Sequence, residues 1–126
     1  MISRRALLLG LVALSAGPLR ASARAHSLLA RSEPQGGATI ARAPARIRLW
    51  FTERLEPAYA TASVWSGAGA RLDAGDAAVD PNDPTLLTVS APGLGPGRYT
   101  VRYRVLSLDG HVVDSSFAFA VRAAAR

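Results

Sequence analysis

One ten-residue segment alternates in polarity, and this alternation constrains the fold of the chain more than any other feature. Between Gly97 and Leu106, tyrosine and valine occupy the odd positions from 99 to 105, whereas arginine occupies positions 98, 102 and 104. A period of two places successive side chains on opposite faces of an extended backbone. The segment is therefore predicted to be a β-strand with one buried face.

Shorter segments with the same alternation recur along the chain and are separated by turns. Eleven glycines and eight prolines supply these turns and argue against a helical bundle. Short strands about ten residues apart predict an antiparallel sandwich or barrel. Seven strands are the natural count, with residues 71–79 as either a weak edge strand or a loop. The predicted strands are 26–32, 46–51, 61–66, 71–79, 86–90, 97–106 and 117–121.

The chain has eight aromatic residues, which is enough to help build a core in a domain of this size. Residues 53–59 contain Pro57 and are expected to connect the two sheets. Seven of the aromatic residues are expected in the core or between the sheets: Trp50, Phe51, Trp65, Tyr99, Tyr103, Phe117 and Phe119.

The first 25 residues have the pattern of a cleavable secretory signal peptide. Arg4 and Arg5 precede an uncharged run over residues 6–19, which is shorter than the roughly 18 residues that span a bilayer. A cleavage motif ends at Ala25, so residues 26–126 are predicted to be the mature domain. A second motif ends at Ala23 and leaves that cleavage site open. Both the Sec route and, because of the arginine pair, the twin-arginine route are open.

Loss of this segment removes most of the charge excess that would suggest a nucleic-acid partner. Four of the 15 basic residues lie within it, which leaves 11 against 9 acidic residues. The remaining arginines are scattered along the strands, so neither nucleic-acid binding nor a membrane span after cleavage is expected. The absence of cysteine excludes a disulfide scaffold, a thiolate metal site and a cysteine nucleophile.

Two histidines and one aspartate form the main candidate for a functional site. Cleavage after Ala25 would make His26 the first residue, whose amine and ring can chelate one metal ion. His111 follows Asp109 by two residues between the two clearest strands, so both side chains are expected to face one point. The first and last strands can be neighbours in a sandwich, which would bring His26 to this loop. An amine, two imidazoles and a carboxylate favour copper(II). A plain turn with an exposed histidine is the alternative.

Several segments, in order, carry a resemblance to a known family. They include the nine residues from His26 (HSLLARSEP), the three that end at Glu53 (FTE) and the eight that end at His111 (RVLSLDGH). Others are DPNDPT at residues 80–85 and LGPGRYTV at residues 94–101. In these segments, which span nearly the whole mature chain, the sequence resembles the CopC-type periplasmic copper-resistance proteins.

The resemblance implies a fold, a site and a role. The fold is a seven-stranded antiparallel Greek-key (immunoglobulin-like) β-sandwich, and the copper(II) site comprises His26, Asp109 and His111. Glu53 matches a glutamate that lies near the same metal, either as a weak axial ligand or without binding the metal directly. The implied role is a periplasmic carrier or buffer in copper homeostasis or resistance, with a CopD-like inner-membrane protein as partner. Some members hold copper(I) in a methionine-rich loop, but here the only methionine is Met1, so no copper(I) site is expected.

Two other classes of function remain open at this point. Copper monooxygenases with a histidine brace also begin with a mature histidine, but they need an open copper position and a broad substrate surface. Asp109 would occupy a fourth position around the metal, so no enzymatic activity is expected. The other alternative is a metal-free immunoglobulin-like structural module, in which copper would leave the melting temperature unchanged.

Overall fold

The computed structural model describes residues 28–124, whose regular structure is almost entirely β. The predicted signal peptide and His26 lie outside the described residues. One 3₁₀ helix, Pro57–Tyr59, is three residues long, and no helix within residues 28–124 has the length and apolarity that a membrane crossing requires. The strands are β1 (Leu29–Glu33), β2 (Thr39–Ile40), β3 (Arg46–Phe51), β4 (Thr61–Ser66), β5 (Ala78–Asp80), β6 (Asp83–Ser90), β7 (Gly97–Leu106) and β8 (Val112–Val121).

The strands form two four-stranded sheets, with the orders β1-β3-β6-β5 and β2-β8-β7-β4. All pairs are antiparallel except β2 and β8, which run parallel over two residues. This short β2 accounts for the difference between the seven predicted strands and the eight observed in residues 28–124. The connection from β3 to β4 joins the two sheets, as predicted for residues 53–59. The β-sandwich prediction is therefore confirmed.

The alternation along β7 determines which of its faces enters the core. Its tyrosines and valines at positions 99 to 105 are buried, whereas its three arginines are exposed, as the sequence predicts. From the other sheet, Ile47 and Leu49 of β3 pack into the same core with no exposed surface. Burial of these two inner faces against each other supplies the apolar contact that holds the sheets together.

Three local features differ from the sequence prediction. Trp50 and Trp65 lie on outer faces, because they alternate with the buried residues of β3 and β4. Arg31 and Arg102 stack over their rings at 3.9 and 4.9 Å, so both tryptophans are partly buried. β6 begins at residue 83, three residues early. β8 begins at residue 112, five residues early, because it pairs with β7 over the full ten residues. Cross-strand pairing thus outweighs the weak strand preference of the polar residues at 114–116.

Candidate metal site

A five-residue turn, Ser107 to His111, connects β7 to β8 and carries two of the predicted ligands. The Gly110 N–H donates to the Ser107 carbonyl at 3.0 Å, and the Ser107 N–H donates to the His111 carbonyl at 2.9 Å. Gly110 has a φ of +94°, a conformation that residues with a Cβ atom rarely adopt. The turn is therefore closed by its own backbone and depends on glycine at its fourth position.

The turn brings the side chains of Asp109 and His111 together. Asp109 Oδ1 lies 3.0 Å from His111 Nδ1, and the side chains are 48% and 74% exposed. The two-residue spacing predicts this convergence for an extended backbone, whereas in the structure a turn produces it. Two ligand atoms at right angles around a metal ion, each about 2.1 Å from it, lie about 3 Å apart. The pair is thus accessible, and its 3.0 Å contact is a hydrogen-bond distance that also matches the spacing of two adjacent ligands of one ion.

Ser107 lies beneath this pair and is not among the ligands predicted from the sequence. Ser107 is buried as a whole residue, with 1% of its surface exposed. Its hydroxyl donates to Asp109 Oδ1 and accepts a hydrogen bond from the His111 N–H at 3.1 Å. The hydrogen bonds from Ser107 and then His111 hold the pKa of Asp109 below its ordinary value.

The segment that follows β3 packs along the same turn. The Leu108 N–H donates to the Arg54 carbonyl at 2.9 Å, and Leu55 forms an isolated bridge with Ser107. Glu53, the third candidate ligand within the described residues, is exposed and directly precedes Arg54. Within residues 28–124, no group of three or more His, Cys, Asp or Glu side chains is arranged to hold a metal ion. Glu53 therefore does not complete a three-residue cluster with Asp109 and His111.

The start of β1 lies beside this segment. The Thr52 N–H donates to the Leu28 carbonyl at 2.7 Å, and Leu29 pairs with Phe51, so β1 runs antiparallel to β3. The first described residue, Leu28, is therefore bonded to the segment whose later residues pack against the turn. The first and last strands themselves lie in different sheets, contrary to the expectation that they are neighbours. Residues 52–56 make the link between them.

Comparisons with known proteins agree on one family. A family model described as the CopC domain matches residues 29–122, which include all eight strands and the turn. The chain is 32% identical over 128 residues to copper resistance protein C of Xanthomonas campestris pv. juglandis, covering 97% of this chain and 100% of that protein.

Two solved structures show the same likeness in three dimensions. The crystal structure of CopC from Methylosinus trichosporium OB3b has a TM-score of 0.72 at 34% identity, and the match covers 80% of this chain and 98% of that one. PcoC, a methionine-rich copper resistance protein from Escherichia coli, has a TM-score of 0.63 at 27% identity, covering 75% and 96%. The β-sandwich described above is therefore shared with proteins named for copper resistance.

Proposed function

The chain belongs to the CopC family, and from this premise we propose that it is an exported, periplasmic protein that binds copper(II) and buffers or carries it. The observation that carries this proposal is the accessible pair formed by Asp109 and His111, whose facing atoms are 3.0 Å apart. Nitrogen and oxygen donors in a tetragonal arrangement favour copper(II). The copper-related names of the relatives support the identity of the ion.

The proposed site joins this pair to the processed amino terminus. Cleavage after Ala25 would give His26 a free amine, which together with its ring can close a chelate around one ion. Leu28 is the first described residue and lies beside the segment that packs on the turn. Two peptide units span at most about 7.6 Å, so the Cα atom of the proposed ligand His26 would be no farther than that from the Cα atom of Leu28. Glu53 is proposed either as a weak axial ligand or as a nearby residue that does not bind the metal directly.

We propose that copper is the cargo of this protein and not the centre of an enzyme. With an amine, two imidazoles and a carboxylate around it, copper(II) would have its four strong positions filled. An oxygen-activating copper needs one of these positions open. A CopD-like inner-membrane protein is proposed as the recipient, on the family resemblance alone.

Mass spectrometry of the exported protein tests the proposal most directly. Under conditions that keep the fold intact, the protein purified from copper-supplemented cells should have the mass of residues 26–126 plus one copper ion. Addition of a strong chelator should remove that increment and leave the polypeptide mass unchanged. A first residue other than His26, or failure of the folded protein to take up copper(II), would contradict the proposed site.

An added residue at the amino terminus tests the role of the free amine. One glycine placed before His26 moves the amine away from the imidazole and opens the proposed chelate ring. Copper(II) affinity, measured by competition with a chelator, should fall at least about tenfold. One glycine added after Arg126 is the matched control and should leave the affinity unchanged. Equal affinities for the two extended proteins would argue against a ligand at the amino terminus.

A further inference from the structure

The sandwich contains two turns with the same backbone hydrogen bonds, and comparing them isolates the role of Ser107. In the turn between Ser66 and Ala70, the Gly69 N–H donates to the Ser66 carbonyl and the Ser66 N–H donates to the Ala70 carbonyl. The Ala70 N–H also donates to the Ser66 hydroxyl at 3.0 Å. The same three hydrogen bonds close the turn from Ser107 to His111. In both turns the serine hydroxyl therefore supports the backbone.

The two serines differ in the other hydrogen bonds that their hydroxyl groups make. The residue directly before the turn glycine is Asp109 in one turn and Ala68 in the other. Ser107 donates its hydroxyl proton to Asp109 Oδ1, the same oxygen that lies 3.0 Å from His111 Nδ1. The serine itself is 1% exposed, whereas the Asp109 side chain that it holds is 48% exposed. Ser107 is thus a rigid anchor inside the protein for a carboxylate at its surface.

We infer that Ser107 is a positioning residue for copper(II) binding, which it supports by holding the Asp109 carboxylate against His111. An unanchored carboxylate on a turn would have several rotamers open to it, and ordering it on binding would cost free energy. Partners that orient metal ligands typically contribute about 10- to 100-fold to metal affinity. This inference rests on the proposed function, because it assigns Ser107 a role in the same site.

Replacement of the two serines, one at a time, tests the inference. Ser107→Ala should weaken copper(II) binding by about 10- to 100-fold in a chelator competition assay. Ser66→Ala removes the equivalent hydroxyl from the matching turn and should leave the affinity unchanged. Unfolding curves of the copper-free proteins show whether each variant is native at the assay temperature. Equal affinities for the two variants would overturn the inference.

A second measurement separates positioning from general support of the turn. If Ser107 acts through Asp109, then Ser107→Ala should change the affinity by less than about twofold once Asp109 is already alanine. Full additivity of the two substitutions would show that Ser107 acts independently of the carboxylate, and would overturn the inference. The electron paramagnetic resonance spectrum of bound copper(II) should also change in Ser107→Ala and stay unchanged in Ser66→Ala.

A conservative variant keeps the inference testable if alanine at position 107 prevents folding. Ser107→Thr retains the hydroxyl and should bind copper(II) within about threefold of the parent protein, whereas a loss as large as that expected for alanine would contradict the inference. Failure of the parent protein to bind copper(II) would overturn the proposed function itself. Normal binding by the parent, weak binding by Asp109→Ala and normal binding by Ser107→Ala would overturn the inference alone.

Discussion

Asp109 and His111 are held by the turn to different degrees. The Asp109 carboxylate accepts hydrogen bonds from the Ser107 hydroxyl and from the His111 imidazole. These hydrogen bonds lower the pKa of Asp109, so it stays ionised in mildly acidic solution. The imidazole side chain is 74% exposed, and Asp109 contacts its Nδ1 atom at 3.0 Å. Neither side chain is packed into the core, so an arriving ion need not displace a buried group.

Replacement of His111 should therefore change binding far more than stability. His111→Ala removes one nitrogen donor, and copper(II) affinity should fall at least about tenfold in a chelator competition assay. The free energy of unfolding of the copper-free protein should stay within about 0.5 kcal/mol of the parent value, because the side chain is mostly exposed. An unchanged affinity would count against a copper ligand at this position.

At the scale of the elements, Asp73 fastens a loop to the edge strand β4. Its carboxylate accepts hydrogen bonds from the Val64 N–H at 2.9 Å and the Gly75 N–H at 3.1 Å. Arg71 donates to both of its oxygens, and the Asp73 side chain has no exposed surface. Burial would raise the pKa of Asp73, but these hydrogen bonds outweigh it and lower the pKa. The ionised carboxylate therefore stabilises the folded state.

Asp73→Asn should reduce the free energy of unfolding by about 2 kcal/mol at pH 7, because hydrogen bonds to a charged, buried acceptor are lost or weakened. The folded-state pKa lies below the unfolded value of about 3.9, so the contribution is complete above that pH. It is lost as the pH falls through the lower, folded-state pKa. The difference between parent and variant, measured by denaturant unfolding from pH 7 to 2.5, should shrink only below about pH 4.

Asp114→Asn is the matched control for this experiment. Asp114 lies 4.0 Å from Arg104, and both side chains are mostly exposed, so their ion pair should contribute little. Its substitution should change the free energy of unfolding by less than about 0.5 kcal/mol across the same pH range. A constant difference between parent and Asp73→Asn down to pH 2.5 would contradict the role assigned to the Asp73 charge.

An element can be predicted from the sequence when a local pattern specifies it, and cannot when contacts with distant residues specify it. The alternation from residue 97 to residue 106 is a local pattern and predicts both the strand and its buried face correctly. The first half of β8 carries no such pattern, since its pairing with β7 determines it. Asp109 and His111 are near in sequence and could be identified as a pair. Ser107 could not, because its importance depends on its burial beneath them.

At the scale of the molecule, the proposed site draws on both sheets. β1 belongs to one sheet, whereas the turn with Asp109 and His111 joins two strands of the other. The link between them is residues 52–56, which contact the start of β1 on one side and the turn on the other. His26 and His111 are 85 residues apart in sequence, so an ion bound by both, as proposed, would require the folded chain. Copper(II) binding and folding should therefore be coupled.

This coupling predicts a thermal response that depends on the oxidation state of copper. With copper(II) at about 100 times its dissociation constant, the native state should gain about 2.7 kcal/mol, which should raise the melting temperature of a domain of this size by at least about 10 °C. Copper(I) at the same concentration, kept reduced under anaerobic conditions, should give a much smaller shift. The soft sulfur ligands that favour copper(I) are scarce, since the chain has no cysteine and its single methionine is Met1. Calorimetry of the processed protein measures both shifts, and equal shifts for the two ions would contradict a site built from nitrogen and oxygen donors.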